Sequence, residues 1–481
     1  MRSRTLALAA GSALLAACSD PTVPVAPTRA VAAAVAPAGR YVVTFQSSDS
    51  LPTAFAADVA ALGGSVESTV PGAGIASVSG LSDAAAATLA QRNYVTAVGR
   101  DFTVLALPEG STVQSDEASL AETIDAATPE AVAESQSAPN KAVVFARQWN
   151  LRAIGADAAW AQTRLGSPNV TVAIVDGGID YLHPDLQGRV DLSRSVSLVP
   201  SDDSIVRVRF PSRHPVTDLY FHGTAVASIV SSNATYFAGV TSRVTLMGVK
   251  VIGVDGQTPV SRVLAGIVYA ADHGADVANV SLGDHYMRDS VRGAISAINR
   301  AMNYAHRKGM TVIVAAGNDG IDADHNGNEF IESCNAPNVI CVSATGPTAA
   351  ANANVGPWTN VDAPAPYSNY GRSMIDVAAP GGGLGGAGAA AGTLIPLPCS
   401  TSSIVYTSCQ RSVGILRANG TSLAAPHVSA LAALLVETLG RNPSAIRDAL
   451  LTRSDDLGES GTDPYYGKGR INVPRAIGLV P

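Results

Sequence analysis

Val172-Ala173-Ile174-Val175-Asp176-Gly177-Gly178 is an unbroken apolar run that ends in a carboxylate and two glycines. An alternating pattern would mark a strand with one wet face; a continuous one marks a strand covered on both sides, as in a parallel sheet. The same reading extends outward to Val170 to Val175, Val244 to Val249, Val277 to Val280, Thr311 to Ala315 and Val339 to Ser343. Between these lie helix candidates at Thr224 to Ser231, Val260 to His273, Val291 to Lys308 and Ser422 to Leu439. The alternation predicts an α/β domain over residues 141–481, a parallel β-sheet sandwiched by helices. Such sheets bind ligands at the carboxyl ends of their strands, so functional residues belong just past strand ends.

Three segments meet that requirement. Asp176 closes the first strand, Phe221-His222-Gly223-Thr224 sets an imidazole at a helix start, and Asn419-Gly420-Thr421-Ser422 sets a hydroxyl at another. Pro426 is tolerable there only because it lies within the first turn. Taken singly, these are a turn aspartate, a structural histidine and an N-cap. Taken together they match one chemistry. A serine needs a base to remove its proton, and a neutral imidazole is suited to that near pH 7. A buried aspartate fixes the imidazole tautomer and stabilises the imidazolium. A helix starting at the serine adds free N–H groups for a developing oxyanion.

In these motifs, and in the chain order Asp, His, Ser, the sequence resembles subtilisin-like serine peptidases from about Gln148 to the C-terminus. The likeness is nearer the proteinase K and bacterial secreted branches than the proprotein convertases. It implies a serine endopeptidase that cuts polypeptide substrates through an acyl-enzyme intermediate, as a monomer and without a catalytic cofactor. It gives the triad roles to Asp176, His222 and Ser422, and through Ala315-Ala316-Gly317-Asn318 it makes Asn318 an oxyanion donor. Ser281, Leu282 and Gly283, with Ala316 and Gly317, are implied to line the primary specificity pocket, and Gly256 the edge that pairs with an extended peptide. Two departures stand out: Ala225 replaces a second histidine common in the family, and Phe221 replaces a small or polar neighbour. The polar, arginine-rich stretch from Gln187 to Asp218 reads as an insertion, and His183 and His427 as structural. A sedolisin-like peptidase, with an acidic base, is opposed by His222-Gly223-Thr224 and Asn318. A catalytically silent envelope protein would be expected to lack a triad member, and all three are present.

The amino-terminal third reads differently. Arg2 and Arg4 precede an apolar run, Leu6 to Ala17, that is too short to span a bilayer, so residues 1–17 read as a signal peptide. Leu15-Ala16-Ala17-Cys18 resembles the bacterial lipobox, which implies a lipidated Cys18 and a cell-envelope lipoprotein; ordinary cleavage after Ala17 implies a secreted protein. Residues 18–38 are a Pro/Ala-rich tether. Residues 39–107 follow the order strand, helix, two strands, helix, strand, a small α+β ferredoxin-like domain. It resembles the inhibitor-type propeptide of these peptidases, which would occupy the cleft until cut away. Residues 108–140 carry acidic side chains and no Lys or Arg before Lys141, and read as a solvated linker. The processing bond is bracketed between Leu107 and Arg147.

A net charge of -7 without any basic block opposes nucleic-acid binding. Cys334, Cys341, Cys399 and Cys409 form two close pairs without C-x-x-C spacing, so zinc is disfavoured; local disulfides suit an oxidising compartment, and free buried thiols are the alternative. Asp322, Asp324 and Asn326 space oxygen ligands before Gly327 like the opening of an EF-hand calcium loop. The closing acid is out of register, since Glu332 falls one position early, and a hydrated polar loop is the other reading.

Overall fold

The computed structural model describes residues 39–47, 50–107, 111–115, 134, 136–411 and 413–480. The signal segment, the tether with Cys18 and most of the acidic linker lie outside the described residues.

The main sheet has eight strands. Its order is Ala363–Pro364, Val339–Gly346, Thr311–Ala315, Val277–Val280, Thr171–Asp176, Thr245–Lys250 and Val196–Ser197, with Val377–Pro380 also paired to Val339–Gly346. Every pairing is parallel except that of Ala363–Pro364. The strand period of two explains the continuous apolar runs. Val172, Ile174, Leu246 and Ile313 face one cluster, shared with the helices His222–Val230 and Thr421–Leu439. Ala173, Val175, Met247 and Val312 face the other, shared with Val260–Asp272 and Arg288–Arg307. Each fully buried Val or Leu contributes about 1.5–3 kcal/mol relative to exposure, and a polar residue such as Asn279 is accommodated with hydrogen bonds to Ser281 and Ser429. Thr421–Leu439 is long and apolar enough to cross a bilayer, yet Thr421 through Val436 are buried inside the protein. It is apolar all round because it is covered all round.

The stretch read as a polar insertion is partly regular. Pro200–Arg209 forms a helix with Pro at its start, Asp202 and Asp203 in the first turn and Arg207 and Arg209 in the last, a charge order that suits the helix dipole. Asp202 anchors it through a 2.9 Å ion pair to the buried Lys250.

The amino-terminal domain is an antiparallel sheet in the order Ser65–Val70, Ile75–Ser79, Tyr41–Phe45, Val95–Arg100. Its helices are Phe55–Ala61 and Asp83–Leu89, the second capped by the Ser82 hydroxyl, which accepts from the Ala85 N–H. Tyr41, Val43, Phe45, Phe55 and Val59 form its own core. From the opposite face of the sheet, Val42 and Ile75 join the cluster around helices Val260–Asp272 and Arg288–Arg307.

Beyond this domain the sequence reading needs one correction. Thr103–Leu105 runs antiparallel to Gln257–Pro259, and Val113–Ser115 runs antiparallel to Ile415–Ala418. Residues 111–115 are therefore seated on the larger domain and are not a solvated linker. Disulfides join Cys334 to Cys341 and Cys399 to Cys409.

Candidate active site

Asp176 is the last residue of its strand and is completely buried. Its Oδ1 accepts from the Gly177 N–H at 2.6 Å, and both carboxylate oxygens lie 2.9 Å from His222 Nδ1. A carboxylate only accepts, so Nδ1 carries the proton and Nε2 is left as the basic nitrogen. His222 Nε2 is buried and has no hydrogen-bond partner, Ser422 Oγ included. Burial pulls the His222 pKa down, but the charge and hydrogen bond of Asp176 outweigh it, and the net shift is upward.

A second carboxylate stands behind the imidazole. Asp218 is buried and accepts from the Thr224 N–H at 2.9 Å, the Thr224 hydroxyl at 2.6 Å and the Tyr220 N–H at 2.8 Å. Burial pushes its carboxyl up to about 6, and its charge adds to the upward pull on His222. Sequence reasoning missed it; the only signal was an acid four residues before the histidine. Phe221 meets the imidazole edge-on at 6.1 Å and Tyr406 at 5.0 Å, so the unusual neighbour builds an aromatic wall beside the base.

Ser422 is the second residue of helix Thr421–Leu439 and is 4% exposed. Its N–H lies in the first turn, where an α-helix has no acceptor of its own. Its carbonyl is held by the Ser281 hydroxyl at 2.7 Å. Leu423, Ala225 and Phe221 share one apolar cluster, which brings the two helix starts together. Asn318 follows the strand Thr311–Ala315, and its Oδ1 accepts from the Thr421 N–H at 2.8 Å and the Thr421 hydroxyl at 2.9 Å. That clamp turns Nδ2 outward, where it donates to Ser111 Oγ at 2.9 Å. Gly420 marks the convergence. Its φ of +148° favours glycine, and a Cβ there would stand 3.0 Å from Ser422 Oγ and 3.3 Å from Asn318 Nδ2. A nucleophile and an amide donor thus border one point at the carboxyl end of the sheet.

The other sequence-predicted residues fall into three groups. Gly256 accepts from the Ala106 N–H at 3.0 Å, so the edge expected to hold an extended peptide holds one from this chain. Ser281, Leu282 and Gly283 follow Val277–Val280, and Ala316 and Gly317 follow the neighbouring strand, so the five residues flank one slot. His183 and His427 lie in the interior. His427 Nδ1 donates to the Leu423 carbonyl, Nε2 accepts from Asn150, and burial drives the ring pKa down to about 4. In the calcium-like loop the two aspartates bond to neighbouring protein groups. Asp324 accepts from the Arg372 N–H and from the N–H and hydroxyl of Ser373, while Asp322 accepts from the Asp324 N–H and pairs with His325. These carboxylates are turned to protein donors, and among the described residues no group of three or more His, Cys, Asp or Glu could hold a metal ion.

Comparison with known proteins adds to this geometry. Residues 167–469 match the family model described as the subtilase family. The chain is 32% identical over 342 residues to a thermophilic serine proteinase of Bacillus sp. (strain AK1), covering 70% of this chain and 69% of that one. It is 32% identical over 344 residues to thermitase of Thermoactinomyces vulgaris, covering 70% and 99%. Among solved structures, the epidermin leader peptide processing serine protease from Staphylococcus aureus superposes with a TM-score of 0.66 at 23% identity. That match covers 92% of this chain and 98% of the other, and it shows the fold.

Proposed function

The chain belongs to the subtilase family of serine endopeptidases, and from that premise we propose that Asp176, His222 and Ser422 are its catalytic triad and Asn318 its oxyanion donor. One observation carries the reading: Asp176 holds His222 through Nδ1 and leaves Nε2 bare, the His222 helix start shares an apolar cluster with the Ser422 helix start, and there Ser422 Oγ and Asn318 Nδ2 border one point.

In this mechanism His222 Nε2 takes the Ser422 proton as Oγ attacks the peptide carbonyl carbon. The approach of Oγ to Nε2 completes with substrate in place, as is common for catalytic hydrogen bonds. Asp176 stabilises the imidazolium without taking its proton. The new oxyanion accepts from Asn318 Nδ2 and the Ser422 N–H, donors already aimed and needing no reorganisation. The imidazolium then gives its proton to the leaving amine, and water repeats the sequence on the acyl-enzyme. A fluorophosphonate probe tests the assignment: it should label the wild-type protein and not Ser422→Ala. A wild type that is mature and unlabelled overturns it.

The enzyme is made as a zymogen in this reading. Thr103–Leu105 pairs with Gln257–Pro259, and Val113–Ser115 pairs with Ile415–Ala418, the strand that leads to the Ser422 helix. Between them the Thr112 N–H donates to Asn419 Oδ1, the Asn419 N–H to the Thr112 carbonyl, and Ser111 Oγ occupies the Asn318 donor. These contacts on either side of residues 108–110 support a propeptide that enters the cleft as a substrate does, with the processing bond between Leu107 and Thr112. Asp101 helps dock the amino-terminal domain. Its buried carboxylate accepts from the Ser261 N–H at 3.0 Å and the Ser261 hydroxyl at 2.7 Å, at the start of helix Val260–Asp272. The export signal and the two disulfides support an extracytoplasmic site of action, with Cys18 as the lipid attachment point. Polypeptides are the substrates and the propeptide is the intramolecular inhibitor.

A further inference from the structure

The slot beside the nucleophile has an acidic wall. Its two sides are Ser281–Gly283 and Ala315–Gly317, which continue neighbouring parallel strands. Its third side is the segment after Glu329–Ile331, a strand that runs antiparallel to His285–Met287. Three contacts close this side: the Glu332 N–H donates to the Asp284 carbonyl at 2.9 Å, Cys334 Sγ lies 3.4 Å from the Ala315 carbonyl, and Cys334 is bonded to Cys341. A Cβ on Gly283 would stand 3.8 Å from the Ala315 oxygen and 3.9 Å from the Glu332 oxygen, so the three segments face one another across a single gap.

This wall has too many acids for its cations. Glu332 is completely buried; Oε1 accepts from Ser333 Oγ at 2.5 Å, and Oε2 has no donor at all. The side chain of Asp319, next to Asn318 in the chain, is 3% exposed, and its Oδ1 has no hydrogen-bond partner. Its Oδ2 stands 3.3 Å from His285 Nδ1 and 3.7 Å from the position of a Cβ on Gly317. Asp284 and Glu329 also act on this group; His285 stands against Asp284 and Asp319, and the Arg288 guanidinium lies over the Phe330 ring of the same hairpin. A buried carboxylate with an empty oxygen costs folding free energy unless something repays it in use. Residues 102–107 and 111–115, which lie along the cleft, include no Lys or Arg, so the propeptide leaves the excess uncompensated.

We propose that this slot selects lysine or arginine at the residue preceding the cleaved bond, with Glu332 as the counter-charge and Asp319 deepening the negative field. The inference rests on the protease reading above and names its substrate class. Burial pushes the Glu332 carboxyl up to about 7, with the Asp284 charge acting in the same direction, so a docked cation is what would hold it ionised. The first, intramolecular cut does not need this pairing. A bond held against its own nucleophile reacts at effective molarities of about 10⁵–10⁸ M, which leaves little for side-chain selection to add.

The test uses the mature enzyme with peptide substrates that differ only in the residue before the cleaved bond, Lys, Arg or Leu. Fluorophosphonate labelling counts active molecules, so an inactive protein would be recognised as a failure of the protease reading itself. Wild type should cut the Lys and Arg peptides at least about tenfold better in kcat/KM than the Leu peptide, as a charge-assisted contact provides. Glu332→Gln should remove that preference and leave Leu cleavage within about twofold. Benzamidine, an amidinium probe, should compete with substrate in wild type; this arm stands even if the variant fails to fold. A wild type that favours Leu, an insensitivity to benzamidine, or a variant that still takes the fluorophosphonate label but loses both activities equally would each overturn the proposal.

Discussion

His222 is held between two carboxylates that do different work. Asp176 bonds Nδ1 directly and sets the tautomer, while Asp218 acts only through its charge, its oxygens being occupied by Thr224 and Tyr220. Both raise the imidazole pKa, against burial. Only the neutral ring is a base, so kcat/KM should rise with pH through that raised pKa. Asp218→Asn removes one of the two raising charges, and the acid limb of kcat/KM should move to lower pH. The rate of fluorophosphonate labelling should move with it. A limb that stays fixed, or moves upward, would deny Asp218 an electrostatic role. At this scale the sequence was legible where a local motif carries the residue: Asp176, His222, Asn318 and Ser422 each sit in a recognisable run at a strand or helix end. It was illegible where the partner is distant. The clamp of Thr421 on Asn318 and the place of Glu332 in the slot depend on what lies across the fold. Glu332 drew notice in the sequence only as an acid out of register in a calcium-like loop.

Long, buried elements were legible because burial on both faces writes itself into a continuous apolar run. Thr311–Ala315 and Val277–Val280 were anticipated residue for residue. Thr103–Leu105 and Val113–Ser115 were not, since three residues carry no period and their partners lie far along the chain. The helix Pro200–Arg209 was hidden by its polarity. The contact between elements that matters most for inhibition was equally silent. Gly99, in the last strand of the amino-terminal sheet, meets Gly293, in helix Arg288–Arg307, backbone to backbone. A Cβ on Gly99 would stand 2.2 Å from the Ala294 nitrogen and 2.4 Å from the Gly293 carbonyl carbon, a clash no flexible side chain can relieve. Gly99→Ala should therefore cost about 1–3 kcal/mol of docking. Added in trans, the isolated variant propeptide should inhibit the mature enzyme roughly 5- to 150-fold less well than the native one. An unchanged inhibition constant would mean that the sheet does not dock through this contact. Circular dichroism of the variant separates lost docking from lost folding.

At the scale of the whole molecule, the order of events follows from how the chain is threaded. The amino-terminal sheet rests on two helices of the larger domain, and past it Thr103–Leu105 and Val113–Ser115 both pair with strands of that domain. On the proposed zymogen reading, the bond to be cut belongs to the same chain that supplies Ser422, and its encounter with the hydroxyl does not depend on a second molecule. Processing should be first order, with a half-time unchanged across about a hundredfold range of protein concentration; an intermolecular cut would accelerate in proportion. The new amino terminus, read by mass spectrometry, should be one of residues 108 to 112. Ser422→Ala should remain full length, with its cleft still filled. Antiparallel pairing on both sides of the cut also predicts what happens next: once the bond breaks, the two new ends are held only by short strands, Thr103–Leu105 and Val113–Ser115. The cut propeptide should consequently stay bound through its docked sheet, and activity against added peptides should lag behind cleavage. Activity that appears in step with the cut would show that threading, and not docking, is the whole of the inhibition.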